Sequence, residues 1–299
     1  MFRGFLKLIS SSPRPVLHFL LGEPPIEALL HINTLITFHN IWANPNTTVH
    51  GLVKYILKMC DSTSTTWCNH VQLLCQKYGL PSPLHLLENE PVWSKERWTC
   101  LVKTKIISQT EKQLRVQAST NSKMTFLNVE LLGLSGKSHP ALQNIFSTQD
   151  VRKLRAHLKF LSGDFLTAER AAKDQASLNP SCTLCGAEAE SITHILAECR
   201  ALSGTRERIL PELMNTTARV QPLSRILNQP SPSVLTQFIL DCTSINLDDS
   251  IRVPSHNKGI SDIFRVSRDL CFAITNERLR LLNKRKCTKS MTNKCSIVV

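Results

Sequence analysis

The segment Pro180-Ser-Cys182-Thr-Leu-Cys185-Gly186-Ala-Glu-Ala-Glu190-Ser-Ile-Thr-His194-Ile-Leu196-Ala-Glu-Cys199 places three cysteines and one histidine within eighteen residues. Written as ligands, the pattern is C-x2-C-x8-H-x4-C. Two cysteines three positions apart can bind one ion from a tight turn, and Gly186 tolerates the positive φ often required just after such a turn. His194 and Cys199 stand five positions apart, within the spacing of the second ligand pair of zinc fingers. The segment therefore predicts one Zn²⁺ ion bound by Cys182, Cys185, His194 and Cys199.

Three thiolates and one imidazole complete a tetrahedral set and leave no coordination position for water or substrate. The predicted ion is therefore structural rather than catalytic. Such an ion contributes on the order of 10 kcal/mol to folding at neutral pH. That contribution matters here, because the eight residues between Cys185 and His194 include few that can form a core of their own.

Helical periodicity surrounds this segment on both sides, whereas strand-like alternation is scarce. Pro24-Pro25 predicts a helix start before 26–42, and Ser94 predicts an N-cap. Asp150 predicts the cap of an amphipathic helix, and Ser261 that of a last helix over 261–286. Apolar residues at 49, 52, 53, 56, 57 and 60 predict one buried helix face. The best stretch for a strand, 116–134, is weak, so we predict a mainly α fold, an irregular helical bundle with a small CCHC zinc knuckle.

Positive charge increases toward the C-terminus of the chain. The formal net charge is +13, and the excess of Lys and Arg over Asp and Glu rises from 2 in residues 1–100 to 7 in residues 201–299. A basic excess of this size favours a polyanionic partner, most commonly RNA or DNA, although a merely soluble basic protein explains it as well.

Two basic runs are the candidate nucleic-acid contacts, with a solvated helix face as the alternative for each. The first follows the predicted cap at Asp150 and consists of Arg152, Lys153, Arg155 and Lys159. The second lies near the C-terminus and consists of Arg278, Arg280, Lys284, Arg285 and Lys286.

The chain has eleven cysteines, and we do not expect them to form a disulfide framework. The N-terminal residues do not form a convincing signal peptide, and no apolar run reaches the roughly 18–20 residues of a membrane span. We therefore expect an intracellular, reducing environment and no membrane partner. The second basic run also resembles a nuclear-entry signal, which leaves a nuclear location open.

The cysteine segment resembles the zinc-binding C-terminal region that follows the polymerase domain in non-LTR retrotransposon reverse transcriptases. The shared features are the C-x2-C pair, a Glu four residues before the His, a Leu two residues after it, and H-x4-C; here these are Cys182, Cys185, Glu190, His194, Leu196 and Cys199. The resemblance covers about residues 20–285 and is strongest across 150–200. It implies a region that helps such an enzyme to engage RNA and target DNA.

The resemblance and the composition together predict four regions. Residues 20–149 form a helical region similar to the post-polymerase linker of that family. Residues 150–215 form the basic helix and the CCHC zinc knuckle. Residues 216–286 form a C-terminal helical region, and residues 287–299 form a loose basic tail.

We expect no catalytic activity. Asp248-Asp249 is the single Asp-Asp pair, and it lacks the aromatic residue that precedes the pair in reverse transcriptases. Residues 200–299 contain no nuclease carboxylate arrangement either. The prediction is thus a non-catalytic zinc-knuckle nucleic-acid-binding protein, and whether a partner supplies a polymerase in trans stays open. The alternative is a structural or interaction module, or a decayed retroelement remnant without selected activity.

Overall fold

The structure, a computed structural model, describes residues 12–59, 65–89, 91–220, 223, 230–245 and 258–295; side chains are not described at 89 or 286–295. These residues form helices and connecting turns, and none of them forms a strand, which confirms the predicted mainly α class. None of the described helices has both the length and the apolar character needed to cross a membrane.

The helices are, in chain order, α1 (Arg14–Leu21), α2 (Ile26–Trp42), α3 (Thr48–Met59), α4 (Trp67–Tyr78), α5 (Pro83–Asn89), α6 (Lys95–Ser119), α7 (Thr148–Leu161), α8 (Ala168–Asp174), α9 (Ser203–Ala218), α10 (Pro232–Asp241) and α11 (Lys258–Cys295). Short 3₁₀ turns lie at Val129–Leu131, Pro140–Leu142, Arg200–Leu202 and Cys242–Ser244, and a π-helical turn spans His194–Glu198.

The chain divides into two compact units. Unit A contains residues 22–117 and 133–136, and unit B contains residues 1–21, 118–132 and 137–299. The predicted regions 150–215 and 216–286 both lie in unit B, and the division into four regions stays a prediction.

Unit A is built around buried aromatic residues of α2 and α6. Trp42 and Trp98 are fully buried with ring centroids 5.8 Å apart, and the Trp98 Nε1–H donates to the Leu35 carbonyl at 2.8 Å. Ser94 caps α6 as predicted, since its Oγ accepts the Arg97 N–H at 3.2 Å.

The apolar face predicted over 49–60 lies on a helix, α3, but only part of that face is buried. On α3, Val53 and Leu57 are buried, but Val49 and Leu52 are more than half exposed, because the core of unit A covers only a narrow stripe of this helix. Residue 60 lies outside the described residues. The stretch 116–134, which was too weak to support a strand prediction, forms no strand: α6 continues to Ser119, and the rest of the range is irregular apart from the turn Val129–Leu131.

Unit B is organised around α11, which packs against α7 and α9. The contact buries Leu158 of α7 completely, together with Phe264, Leu270 and Ile274 of α11. The same hydrophobic cluster includes Cys182 and Cys199, so the cysteine segment is part of this core.

Three sequence predictions for unit B need correction. The N-cap of α7 is Ser147 rather than Asp150, which occupies the third helical position and completes a capping box with Ser147. Ser261 does not cap the last helix, because α11 begins at Lys258 and the buried Ser261 hydroxyl donates to Gln143. The predicted loose tail from residue 287 is helical as far as Cys295.

Candidate metal centre

A tight turn holds the first two cysteines. The Gly186 N–H donates to the Cys182 carbonyl at 2.8 Å, and the Cys182 N–H donates to the Ala187 carbonyl at 2.8 Å. Gly186 has a φ of 79°, and a Cβ there would meet nothing within 4 Å. Glycine is therefore needed for its left-handed backbone and not for space.

A π-helical turn brings the histidine and the last cysteine together. The Cys199 N–H donates to the His194 carbonyl at 2.7 Å, which is the five-residue bond of a π turn. The Ser191 hydroxyl accepts the His194 N–H at 2.9 Å and holds the start of this turn. The H-x4-C spacing thus corresponds to one wide helical turn, which places His194 and Cys199 on the same side of that turn.

The four ligand atoms converge on one point. All of them lie within 4.8 Å of one another, with 3.9 Å between the sulfurs of Cys182 and Cys199 and 3.2 Å from the Cys185 sulfur to His194 Nε2. Metal–ligand bonds of about 2.3 Å to sulfur and about 2.0 Å to nitrogen require ligand separations of roughly 3.5–3.8 Å in a tetrahedron. The residues fit a tetrahedral metal ion, so this cluster could hold one.

Burial and hydrogen bonds together set the pKa values of the three thiols. Cys182, His194 and Cys199 are almost completely buried, and Cys185 is partly exposed. Burial raises the pKa of Cys182, and burial together with the nearby Cys182 raises the pKa of Cys199 to about 12. Burial also raises the pKa of Cys185, but hydrogen bonds from the Ala187 N–H and neighbouring thiols bring it below its ordinary value. A divalent cation bound by the cysteines favours their deprotonated form, because it stabilises the thiolates.

The buried carboxylate of Glu190 lies beside the metal cluster and connects it to α8 and α11. Glu190 is 1% exposed, accepts the Ala168 N–H of α8 at 2.8 Å, and lies 3.8 Å from the Cys182 sulfur. Arg278 of α11 donates to both carboxylate oxygens, at 3.1 and 2.8 Å, and its guanidinium lies 5.5 Å from the Phe165 ring. Glu190 was marked in the sequence only by the family resemblance, and its partner was not predicted.

Two further arginines bind carbonyls of the knuckle. Arg206 of α9 is 7% exposed and donates to the Cys199 carbonyl at 2.6 Å. Arg285 of α11 donates to the Leu184 carbonyl at 2.8 Å and to that of Thr183. Sequence reasoning missed Arg206, and no motif in the sequence marks it.

The nine predicted nucleic-acid contacts have different surroundings. On α7, Lys153 pairs with Asp269 at 2.7 Å, Arg155 is partly buried, and Arg152 and Lys159 are exposed. On α11, Arg278 and Arg285 bind the knuckle as described above, Arg280 pairs with Glu277 at 2.5 Å, and Lys284 is exposed. The side chain of Lys286 and the pair Asp248-Asp249 lie outside the described residues.

No family model matches the chain, and no curated protein or solved structure matches it either.

Proposed function

We propose that this chain is a zinc-stabilised, non-catalytic nucleic-acid-binding protein, similar to the zinc-binding C-terminal region of non-LTR retrotransposon reverse transcriptases. The observation that carries the proposal is the convergence of three cysteine sulfurs and one histidine nitrogen within 4.8 Å of one another.

The donor set supports zinc as the ion. Soft thiolate and imidazole ligands in a tetrahedral arrangement select Zn²⁺ over hard cations such as Mg²⁺ and Ca²⁺. With four protein ligands, the ion has no open position, so its role is to hold the knuckle in place. His194 Nδ1 lies 3.6 Å from a Glu198 carboxylate oxygen, a kind of neighbour that often orients metal-bound histidines.

The position of α11 supports a nucleic-acid ligand. Two of its arginines, Arg278 and Arg285, bind the knuckle, and Arg280 and Lys284 are exposed on the same helix. Asp269, which pairs with Lys153 of α7, lies nine residues before Arg278, or about 13 Å along the helix. Arg280 and Lys284 of α11 are therefore the principal proposed contacts, and the basic residues of α7 are secondary.

A second candidate function is a structural or interaction module. It is favoured by the intramolecular pairing of predicted contacts: Lys153, Arg278 and Arg280 each have a carboxylate partner. Paired cations contribute less to phosphate binding, because the nucleic acid must compete with the existing partner.

Metal analysis tests the first part of the proposal. The purified chain is expected to contain one zinc ion, and Cys185→Ser is expected to lower the zinc content strongly. Cys100→Ser is the matched control, since Cys100 is an exposed cysteine on α6 of unit A. A chain without zinc, or equal loss in both variants, would contradict the zinc site.

Titration against structured RNA and duplex DNA at two salt concentrations tests the second part. Affinity is expected to fall as salt rises, because each phosphate contact releases counterions. The absence of binding to both nucleic acids at low salt would overturn the nucleic-acid function and favour the interaction module.

A further inference from the structure

A cleft lies between the start of α9 and the middle of α11, directly after the knuckle. Its volume is about 560 Å³, and its walls include Thr205 and Arg208 from α9 and Asn276, Glu277 and Arg280 from α11. Ala201, two residues after the last cysteine ligand, forms part of its edge. The cleft was not foreseen from the sequence, because its two walls lie about 70 residues apart in the chain.

Two arginines and one carboxylate, Arg208, Arg280 and Glu277, line this cleft. Arg280 donates to both oxygens of Glu277, at 2.8 and 2.5 Å. This hydrogen-bonded guanidinium lowers the pKa of the Glu277 carboxyl, and the charges of Lys284 and Arg208 lower it further. Among the charged residues that line the cleft, Arg208 and Arg280 outnumber Glu277, so positive charge is in excess there.

The pair between Arg280 and Glu277 can be displaced by a ligand. Their side chains are 52% and 26% exposed, and they stand three positions apart on one helix. Exposed pairs of this kind contribute little to stability. Arg278 differs, because its partner Glu190 is buried and also holds α8. Arg280 can therefore turn to a phosphate without cost to the fold, whereas Arg278 cannot.

We propose that this cleft binds a phosphate group of a single-stranded nucleic acid, with Arg208 and Arg280 as its ligands and Glu277 as an internal competitor. The inference rests on the proposed nucleic-acid function and locates its phosphate contact. A guanidinium suits this role, since its planar donors bind two phosphate oxygens at once.

The size of the cleft suits one nucleotide of a flexible strand. Concave sites of about 300–1,000 Å³ enclose ligands of small-molecule size, such as one nucleotide. A flexible strand can place one phosphate inside such a cleft while its neighbours follow the basic surface outside. A duplex carries its phosphates on a stiff surface and cannot project a single phosphate out of it in this way.

The test compares two double variants of the full chain by fluorescence titration with a labelled oligouridine RNA at several salt concentrations. The variant Arg208→Gln/Arg280→Gln is expected to bind at least about tenfold more weakly at low salt. Its slope of log affinity against log salt should decrease by about 1.4, since each contact to a single strand contributes about 0.7. The control Lys103→Gln/Lys105→Gln removes the same charge from exposed positions on α6 of unit A and should change neither value.

A third variant tests the competitor. Glu277→Gln frees Arg280 and is expected to raise the affinity for the RNA by about three- to tenfold, because a like-charged carboxylate no longer faces the phosphate. A merely structural role for Glu277 would give no such gain. Equal zinc content and circular dichroism across the variants establish that each one folds.

The outcomes separate the two proposals. If the unchanged protein does not bind the RNA, the proposed function and the phosphate site both fail. If it binds, but the arginine variant and the lysine control lose affinity equally, the cleft is not the site and the function stands. If the arginine variant loses a weak binding of inorganic phosphate but keeps its affinity for RNA, the cleft binds free phosphate. The proposal that it binds a phosphate of a single-stranded nucleic acid is then overturned.

Discussion

The ion pair between Glu190 and Arg278 is expected to hold the knuckle onto α11. The perturbation is Glu190→Gln, which keeps a carbonyl oxygen for the Ala168 N–H but removes the charge that faces Arg278. Removal of one partner from a buried ion pair costs about 3–5 kcal/mol. The Arg278 side chain is 15% exposed and can regain some water, so we expect about 2–3 kcal/mol for this variant.

A double-mutant cycle isolates the pair from other effects of the substitution. Arg278→Met leaves a carboxylate that is almost completely buried without its cation, and the expected cost is about 3–4 kcal/mol. The double variant should cost less than the sum of the two, with a coupling free energy of about 2 kcal/mol, because it leaves neither charge unpaired.

The assay follows urea unfolding through two signals. Zinc release to a chelating dye reports the knuckle, whereas tryptophan fluorescence reports unit A, which contains all four tryptophans of the chain. The variants should shift the zinc-release midpoint more than the fluorescence midpoint. A coupling free energy below about 0.5 kcal/mol would show that the pair does not hold the knuckle, since that is the usual range for independent sites.

Three other perturbations have expected outcomes. Gly186→Ala should destabilise the zinc-bound knuckle by about 1–2 kcal/mol, because residue 186 has a left-handed backbone conformation. Gly186→Asn should destabilise it by less, and zinc release in urea measures both variants. Zinc affinity should rise by at least about two logarithmic units per pH unit from pH 6 to pH 8, because Cys182 and Cys199, whose pKa values are raised, each lose a proton on binding. Chelator competition measures this slope, and a slope below one contradicts the expectation. Trp98→Phe should cost about 1–2 kcal/mol in the fluorescence-detected unfolding of unit A, because it removes a buried hydrogen bond; an unchanged midpoint would show that this bond does not contribute.

Local patterns in the sequence determined the metal cluster, the helical class and one of the caps. The four ligands lie within eighteen residues, so their spacing and the glycine after the turn define the geometry almost alone. Ser94 is a similar case, because an N-cap acts on the next turn of its own helix. The N-cap of α7 was predicted at Asp150, which lies in the correct turn of the helix. The cap is Ser147, three residues earlier, and it too acts only on the next turn of its own helix.

Only the tertiary structure decided which charges support the cluster and which face solvent. Glu190 and Arg278 are 88 residues apart in the chain, and Arg285 and Leu184 are 101 apart, so no short pattern relates them. Arg278 and Arg280 look equivalent in the sequence, yet one is held by a buried carboxylate and the other by a partly exposed one. The physical reason is that the strength of a charge pair depends on its burial, and burial is set by how distant helices pack.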